Sequence, residues 1–362
     1  VSPYTHDFSV LVITFNHEPF IQEALNSILQ QKFRGSLQVI IGIDKSKDRT
    51  LEICKNYQEK YPNIFNLIVH ETNVGMFQNF YDTLKKCTGK YISILEGDDY
   101  WVSKDKLQLQ FDFFEKYPEC VLSAGNIDVV DENSNLISKG NSGKGGKIMF
   151  REDLIIINRL NTLTTAFRSS ALIWTEIEKL RNSPHLDWGF YISLNYENGG
   201  FIYSFNQVFG AYRKHLGGVY SLVDPEKRNL NILKSIYCIY TLKMEDIYKT
   251  YIKYLFANYS LRLKNKEILS VDPYKNFFDV SLIIYDEKNR IKRSFIRKLL
   301  KSIYFNNGRR SWKLDFELIR QTRLSKNVYL SVMLLPVLPG LFFLLWKEKR
   351  KLNNFYKMKR MA

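Results

Sequence analysis

The sequence predicts an α/β fold, a mostly parallel sheet flanked by helices, followed by a basic helical C-terminal region. Three observations carry that expectation. Short apolar, β-branched runs alternate with stretches of helical spacing through the first 124 residues, the pattern of strands joined by crossover helices. Polar residues follow four of those runs, and parallel strands deliver such turns to one edge of a sheet. The positive charge is confined to the last part of the chain. Residues 1–223 hold 23 Lys and Arg against 25 Asp and Glu, whereas 224–362 hold 30 against 12, so a net −2 is followed by a net +18.

The elements can be taken in order. Residues 8–14 form a β-branched run, the first strand, closing on Phe15, Asn16, His17 and Glu18. Phe20, Ile21, Leu25, Ile28 and Leu29 then recur at helical spacing up to Lys32. A second buried strand spans 37–43, and the polar turn from Asp44 to Thr50 follows it. A helix runs through Tyr57, a strand covers 64–69, and another helical stretch occupies 75–87 after Asn73. The central strand is 91–95, a continuous apolar run as full burial requires. It passes through Glu96 and Gly97 into Asp98, Asp99, Tyr100 and Trp101. An apolar run at 120–124 continues the sheet. The segment 138–147, with four glycines, reads as a mobile lid or a plain surface connection.

Composition bounds the class. Of 362 residues, 45% are hydrophobic and 25% charged, which is globular and excludes a disordered chain. Cys54, Cys87, Cys120 and Cys238 lie far apart with no CxxC pair, so neither a disulfide scaffold nor a zinc site is expected, and a reducing compartment fits. No charged-then-apolar leader opens the chain, the run at 8–14 being too short for one.

Asp98 and Asp99 sit just past the carboxyl end of the central strand, where open α/β sheets place ligands. One alternative is an N-cap for the helix starting near Lys104. The other rests on geometry: adjacent residues of an extended segment point in opposite directions. One carboxylate can then hold a divalent cation while its neighbour takes sugar hydroxyls. Few, hard oxygen ligands with phosphate oxygens completing the shell suit Mg²⁺ or Mn²⁺, which would neutralise the charge on a departing pyrophosphate.

Several segments together resemble glycosyltransferase family 2, of the GT-A (Rossmann-like) fold and the bacterial surface-polysaccharide type. They are Val-Ile-Thr-Phe-Asn at 12–16, Ile-Asp-Lys-Ser-Lys-Asp-Arg-Thr at 43–50, Asn73-Val74-Gly75, Gly-Lys-Tyr-Ile at 89–92 and Glu-Gly-Asp-Asp-Tyr-Trp at 96–101. The resemblance covers about the first 220 residues. It implies that Thr14, Asn16 and Glu18 line a uracil and ribose pocket, that Asp44 reads the base, and that Asn73 and Gly75 belong to the same nucleotide-binding edge. Asp98 would hold ribose or donor sugar, and Asp99 the metal. The second turn departs from the family's Asp-Asp-Gly-Ser form, with Ile43 and Lys45 in place of the first Asp and the Gly.

Asp187, ahead of a helical run at 191–196, is either a helix cap or, by the resemblance, the general base. Inverting transfer needs an acceptor hydroxyl deprotonated on the face opposite the leaving UDP. Arg213, Lys214 and His215, before Gly217 and Gly218, are donors for the pyrophosphate or a basic surface turn. The stretch 161–168 resembles the family's strand beneath the acceptor, with Arg168 there or in a structural ion pair. Trp101 and Trp188 are core aromatics or faces for a sugar ring.

The expected domains are a nucleotide-sugar-binding catalytic domain at 1–223, a basic helical region at 224–327, and an apolar membrane-associating segment with basic tail at 328–362. Ile291, Phe295, Ile296, Leu299, Leu300 and Ile303 form one apolar face among seven Lys and Arg, the pattern of a helix on an anionic membrane or of one packing on the catalytic domain. Residues 328–346 carry no charge and are interrupted by Pro336, Pro339 and Gly340, with basic residues on both flanks. They suit a bent or re-entrant anchor, a full span or a buried core helix, with the preference for the anchor. This apolar segment favours lipid over nucleic acid as the partner of the charge, and the same region is where copies could associate. The expected enzyme is an inverting, metal-dependent transferase acting from a UDP-sugar on a carbohydrate, lipid-linked glycan acceptor at the cytoplasmic face of the membrane. Its rivals are a sugar-nucleotidyltransferase, which would carry a Gly-rich loop after the first strand, and an inactive membrane-tethered scaffold.

Overall fold

The computed structural model describes residues 3–140, 146–156, 158–218, 224–260, 263 and 274. The chain divides into two compact units, Val1–Lys243 and Met244–Ala362. The amphipathic stretch at 288–303, the apolar segment at 328–346 and the glycines of 141–145 lie outside the described residues. No described helix is long and apolar enough to cross a membrane.

The first unit opens with β1 (His6–Thr14), α1 (Ile21–Leu29), β2 (Leu37–Ile43), α2 (Thr50–Lys60), β3 (Phe65–Val69), α3 (Gly75–Lys86) and β4 (Gly89–Glu96). These strands pair in parallel in the order β3-β2-β1-β4. Phe8, Val10, Leu11 and Val12 are all fully buried, so both faces of β1 are covered, as its unbroken apolar run requires. Ile21, Ala24, Leu25 and Ile28 line the buried face of α1, and Phe77, Phe80, Tyr81 and Leu84 that of α3.

Beyond β4 the sheet becomes mixed. After β5 (Tyr100–Trp101) and α4 (Lys106–Lys116), β6 (Cys120–Val130) does not pair with β4. The short β9 (Ala166–Arg168) lies between them, antiparallel to both. β10 (Phe201–Arg213) runs parallel to β6, and β5 is antiparallel to β10 at Gly210 and Ala211. The glycine-rich connection begins and ends in strands, β7 (Leu136–Ser138) against β6 and β8 (Gly146–Met149) against β10. Between β8 and β9 come α5 (Arg151–Ile156) and a 3-10 turn, Thr162–Thr164. α6 (Trp174–Glu178) and α7 (Leu186–Ser193) separate β9 from β10.

The first unit extends past residue 223 because α8 (Pro225–Thr241) packs on α7. Asp224 caps α8 by accepting from the Glu226 and Lys227 amides, with Pro225 at the first helical position. Ser235 of α8 accepts from the His185 amide at 3.0 Å, and so secures the residue that begins α7. The second unit contributes one described helix, α9 (Asp246–Ser260). All four cysteines are free thiols.

Candidate active site

The parallel register brings the turns after β1, β2, β3 and β4 to one edge. The Asp44 amide donates to Thr14 O at 3.0 Å, His70 N to Ile43 O at 3.0 Å, and Gly97 N to Ile13 O at 2.9 Å. Glycine at 97 has a steric cause. A Cβ there would stand 2.7 Å from the Thr14 hydroxyl and 2.9 Å from Ile21, so any side chain would lift the turn off the end of β1. Asp99 N then donates to Glu96 O at 3.1 Å, closing a tight corner.

At this corner the two aspartates diverge. Asp98 accepts a hydrogen bond from His215 Nε2 at 3.0 Å, and His17 Nε2 lies 3.7 Å from the same Oδ2. Asp99, 3% exposed, accepts from the Arg213 amide at 2.8 Å. The electrostatic consequences are opposite. Burial pushes the Asp98 carboxyl up, but the His215 hydrogen bond and the His17 imidazole outweigh it and hold the group below the usual carboxylate range. Asp99 goes well above that range through burial first, then through the charges of Asp98 and Glu96.

Glu96 and Asp187 belong to the same constellation. Burial, then the Asp98 and Asp187 carboxylates, push Glu96 up to about 8. Asp187 lies in the first turn of α7, after His185 in the N-cap position, and Asn158 Nδ2 donates to its Oδ2 at 2.8 Å. Burial raises its carboxyl, against the Trp188 amide, His185 and Asn158. Burial also lowers His17, against the attraction of Asp98.

The side chains expected to line the nucleotide pocket fall into two groups. Asn16, Glu18 and Asp44 knit the turns together. Asn16, at a left-handed φ of 54°, accepts from Lys47 N at 2.8 Å, while its amide donates to Ser46 Oγ. Glu18 accepts from Arg49 N at 2.9 Å. Asp44, expected to read the base, is buried, and its carboxylate accepts from the amides of Lys45, Val74 and Gly75, each at 2.9 Å. It anchors the start of α3, a position that needs an acceptor because helix N-termini leave amides unpaired. Thr14 is 2% exposed, beneath Gly97, and its hydroxyl has no partner. Asn73 is exposed beside Gly75, whose φ of +79° suits glycine.

Arg213, expected as a pyrophosphate donor or part of a basic surface turn, is 2% exposed and hydrogen-bonded within the protein. Its guanidinium donates to Asp98 O at 2.9 Å, Glu132 O at 3.1 Å, Ser134 Oγ at 2.9 Å and Glu23 at 2.5 Å. It ties the aspartate corner to α1 and to the turn between β6 and β7. Arg168 is structural too, donating to the carbonyls of Phe114, Tyr117 and Cys120. Trp101 and Trp188 are anchored by indole hydrogen bonds to Leu163 O and Leu154 O. Sequence reasoning did not single out Glu96, His17 or Asn158. A charged last residue on an otherwise apolar strand was the available signal for Glu96.

Among the described residues no three of His, Cys, Asp and Glu are grouped to hold a metal ion by themselves. At this edge Glu96 Oε2 and His17 Nδ1 are buried without partners, orphaned polar atoms that a divalent cation completed by a ligand's oxygens would satisfy.

Residues 9–181 match the model of glycosyl transferase family 2. Asp187, Arg213 and His215 lie beyond that span. An uncharacterized protein of Mycobacterium tuberculosis, Rv1520, is 28% identical over 220 residues, 61% of this chain and 62% of its own length. The chain thus spans about three-fifths of the mycobacterial relatives it matches. The minor teichoic acid biosynthesis protein GgaB of Bacillus subtilis is 34% identical over 116 residues, 32% of this chain and 13% of GgaB. Among solved structures, S. aureus TarS 1-349 in complex with UDP-GlcNAc superposes with a TM-score of 0.54 at 18% identity, over 78% of this chain and 82% of that one. GalNAc-T7 with UDP, GalNAc and Mn²⁺ gives 0.52 at 12% identity, over 83% and 58%. The mixed sheet flanked by helices, with its turn-bearing edge, is therefore a GT-A-like α/β fold, and residues 9–181, just under half of the chain, are similar to glycosyl transferase family 2.

Proposed function

We propose that this protein transfers a sugar, with inversion, from a UDP-sugar to a hydroxyl of a lipid-linked glycan acceptor in surface polysaccharide synthesis. The observation that carries this reading is the turn-bearing edge of a GT-A-like sheet, with Asp98 and Asp99 in the turn after its central strand, on a chain whose residues 9–181 match the model of glycosyl transferase family 2. The UDP-GlcNAc bound to TarS and the teichoic acid role of GgaB support the choice of donor and acceptor classes.

Asp99 would hold Mn²⁺ or Mg²⁺, and Asp98, oriented by His215, would meet the ribose or the donor sugar. Bound there, the cation would offset the negative charge that gathers on the departing diphosphate. Asp187 takes the proton from the acceptor hydroxyl. That oxygen bonds to the anomeric carbon as the carbon's bond to the diphosphate oxygen breaks, and UDP leaves. The Asn158 amide holds one Asp187 oxygen, so the other is oriented for the proton. The basic C-terminal region would keep the enzyme at the cytoplasmic face of an anionic membrane.

Release of UDP by purified protein, assayed across common UDP-sugars with Mn²⁺ or Mg²⁺, tests the activity. No turnover and no UDP binding in calorimetry would overturn it. Asp187→Asn should lower transfer by about 10²- to 10⁴-fold while UDP affinity stays within about twofold, the signature of a lost general base. An equal loss of both would remove Asp187 from that role.

A further inference from the structure

Lys106, on α4, has no exposed surface, although lysine is among the side chains least often buried whole. Burial pushes its amine well below the usual lysine range, and three contacts work against that shift. Its Nζ donates to Ser93 Oγ at 2.6 Å and to Gln110 Oε1 at 2.8 Å, and it stands 4.1 Å from the centre of the Trp101 ring. Each partner offers electron density and nothing else. Ser93 gives its own proton to Thr165 O at 2.8 Å, and the Gln110 amide nitrogen donates to Ser123 Oγ at 3.1 Å and Thr164 O at 3.0 Å. The surroundings of Nζ therefore take three donors, which an ammonium supplies and an apolar side chain of the same bulk does not.

These contacts lead to different parts of the site. Trp101 comes two residues after Asp99, its amide bound to Ser27 Oγ at 3.0 Å and its indole N–H to Leu163 O at 2.7 Å. Ser93 leads through the Thr165 carbonyl to Thr165 Oγ1, which lies 3.3 Å from the Tyr191 hydroxyl. Tyr191 stands on α7, about one helical turn beyond Asp187. Gln110 ties the 3-10 turn at Thr164 to β6 through Ser123. One amine thus joins the turn that carries the aspartates to the helix that carries Asp187, at the place where only the short β9 separates β4 from β6. In the transferase reading, on which this inference rests, these are the donor half and the acceptor half of the site. The attack needs both in one geometry, and a misplacement of about 1 Å can lower the rate about 100-fold. We infer that Lys106 is a positioning residue, which fixes the spacing between the aspartate corner and Asp187. A fully satisfied buried polar network suits that task, because it holds one arrangement where apolar packing admits several.

UDP affinity reports the aspartate half alone, whereas turnover reports the two halves together. Lys106→Met and Ser93→Ala are made in the 362-residue chain and assayed for UDP release from whichever UDP-sugar the wild type turns over fastest. Calorimetric UDP affinity and a thermal melt are measured alongside. Lys106→Met is expected to lower kcat about tenfold or more, while KM for the UDP-sugar and UDP affinity stay within about twofold. Ser93→Ala, which opens only the branch to Thr165, should lower kcat about threefold or more, and the double variant should lose about as much as Lys106→Met alone. A Lys106→Met kcat within about twofold of wild type, with a lower melting temperature, would make the lysine a residue of stability only and overturn the inference while the transferase reading stands. Equal losses of UDP affinity and turnover overturn it as well, confining Lys106 to the aspartate corner. If Lys106→Met does not fold, Ser93→Ala decides, and wild-type kcat in that variant sinks the inference. Absence of wild-type turnover with every UDP-sugar overturns the transferase reading and this inference together.

Discussion

Asp98 and Asp99 are adjacent in the chain and opposite in environment, and that difference has measurable consequences. Asp98 accepts a hydrogen bond from the His215 imidazole and lies beside that of His17, whereas Asp99 is buried near two other carboxylates and resists ionising without a cation. Asp99→Ala should weaken metal-dependent UDP binding about tenfold or more, and unchanged calorimetric affinity would place the cation elsewhere. Cation binding should also release a proton, so the affinity of the metal–UDP pair should rise with pH across the acidic to neutral range. Flat affinity from pH 5 to 8 would count against Asp99 as the ligand. Glu96 has a sign of its own. Its folded carboxyl, at about 8, lies above the ordinary 4.5, so the fold favours the protonated form and loses stability as pH rises between those values. In metal-free protein, Glu96→Gln should raise the melting temperature at pH 8 and change it little at pH 5. A pH-independent difference would refute the cause.

At the scale of the element, each site residue depends on a strand end or helix start that something else secures. The corner at 96–99 is seated by Gly97 on β1 and held from β10 by the Arg213 amide and guanidinium. Arg213→Lys keeps the charge but cannot reach Glu23, Asp98 O and Ser134 with one planar fork. It should therefore reduce turnover almost as much as Arg213→Ala, and full activity of the lysine variant would show that charge alone suffices. Arg168 has a comparable task away from the site, bonding the carbonyls at the end of α4. Its replacement by Ala should cost about 2–4 kcal/mol in denaturant unfolding without changing the UDP affinity of folded protein. The strands from β1 to β4 were legible because each is a compact apolar run bounded by turn residues. β9 was not, because three residues of strand have no period and owe their pairing to the neighbours on both sides.

For the whole molecule, charge and compactness divide the chain at slightly different places. The basic excess begins after 223, but the first compact unit includes α8 and ends at Lys243. A chain ending at Lys243 should therefore stay folded and bind UDP, while losing adsorption to vesicles of anionic lipid. A chain cut at 223 should lose stability, since Ser235 and the buried Leu233, Ile236 and Ile239 of α8 support the helix bearing Asp187. Equal stability of the two truncations would contradict that dependence. The sequence by itself determined the α/β alternation, the edge at which the polar turns gather and the aspartates at its centre. Periodicity and turn chemistry are local properties, written within a few residues of where they act. Only the tertiary structure decided which polar side chains remain available to a ligand. Asp44 and Arg213 are engaged by amides and carbonyls distant in sequence, and Glu96 is left with a buried oxygen unpaired, because hydrogen-bond partners are assigned by packing.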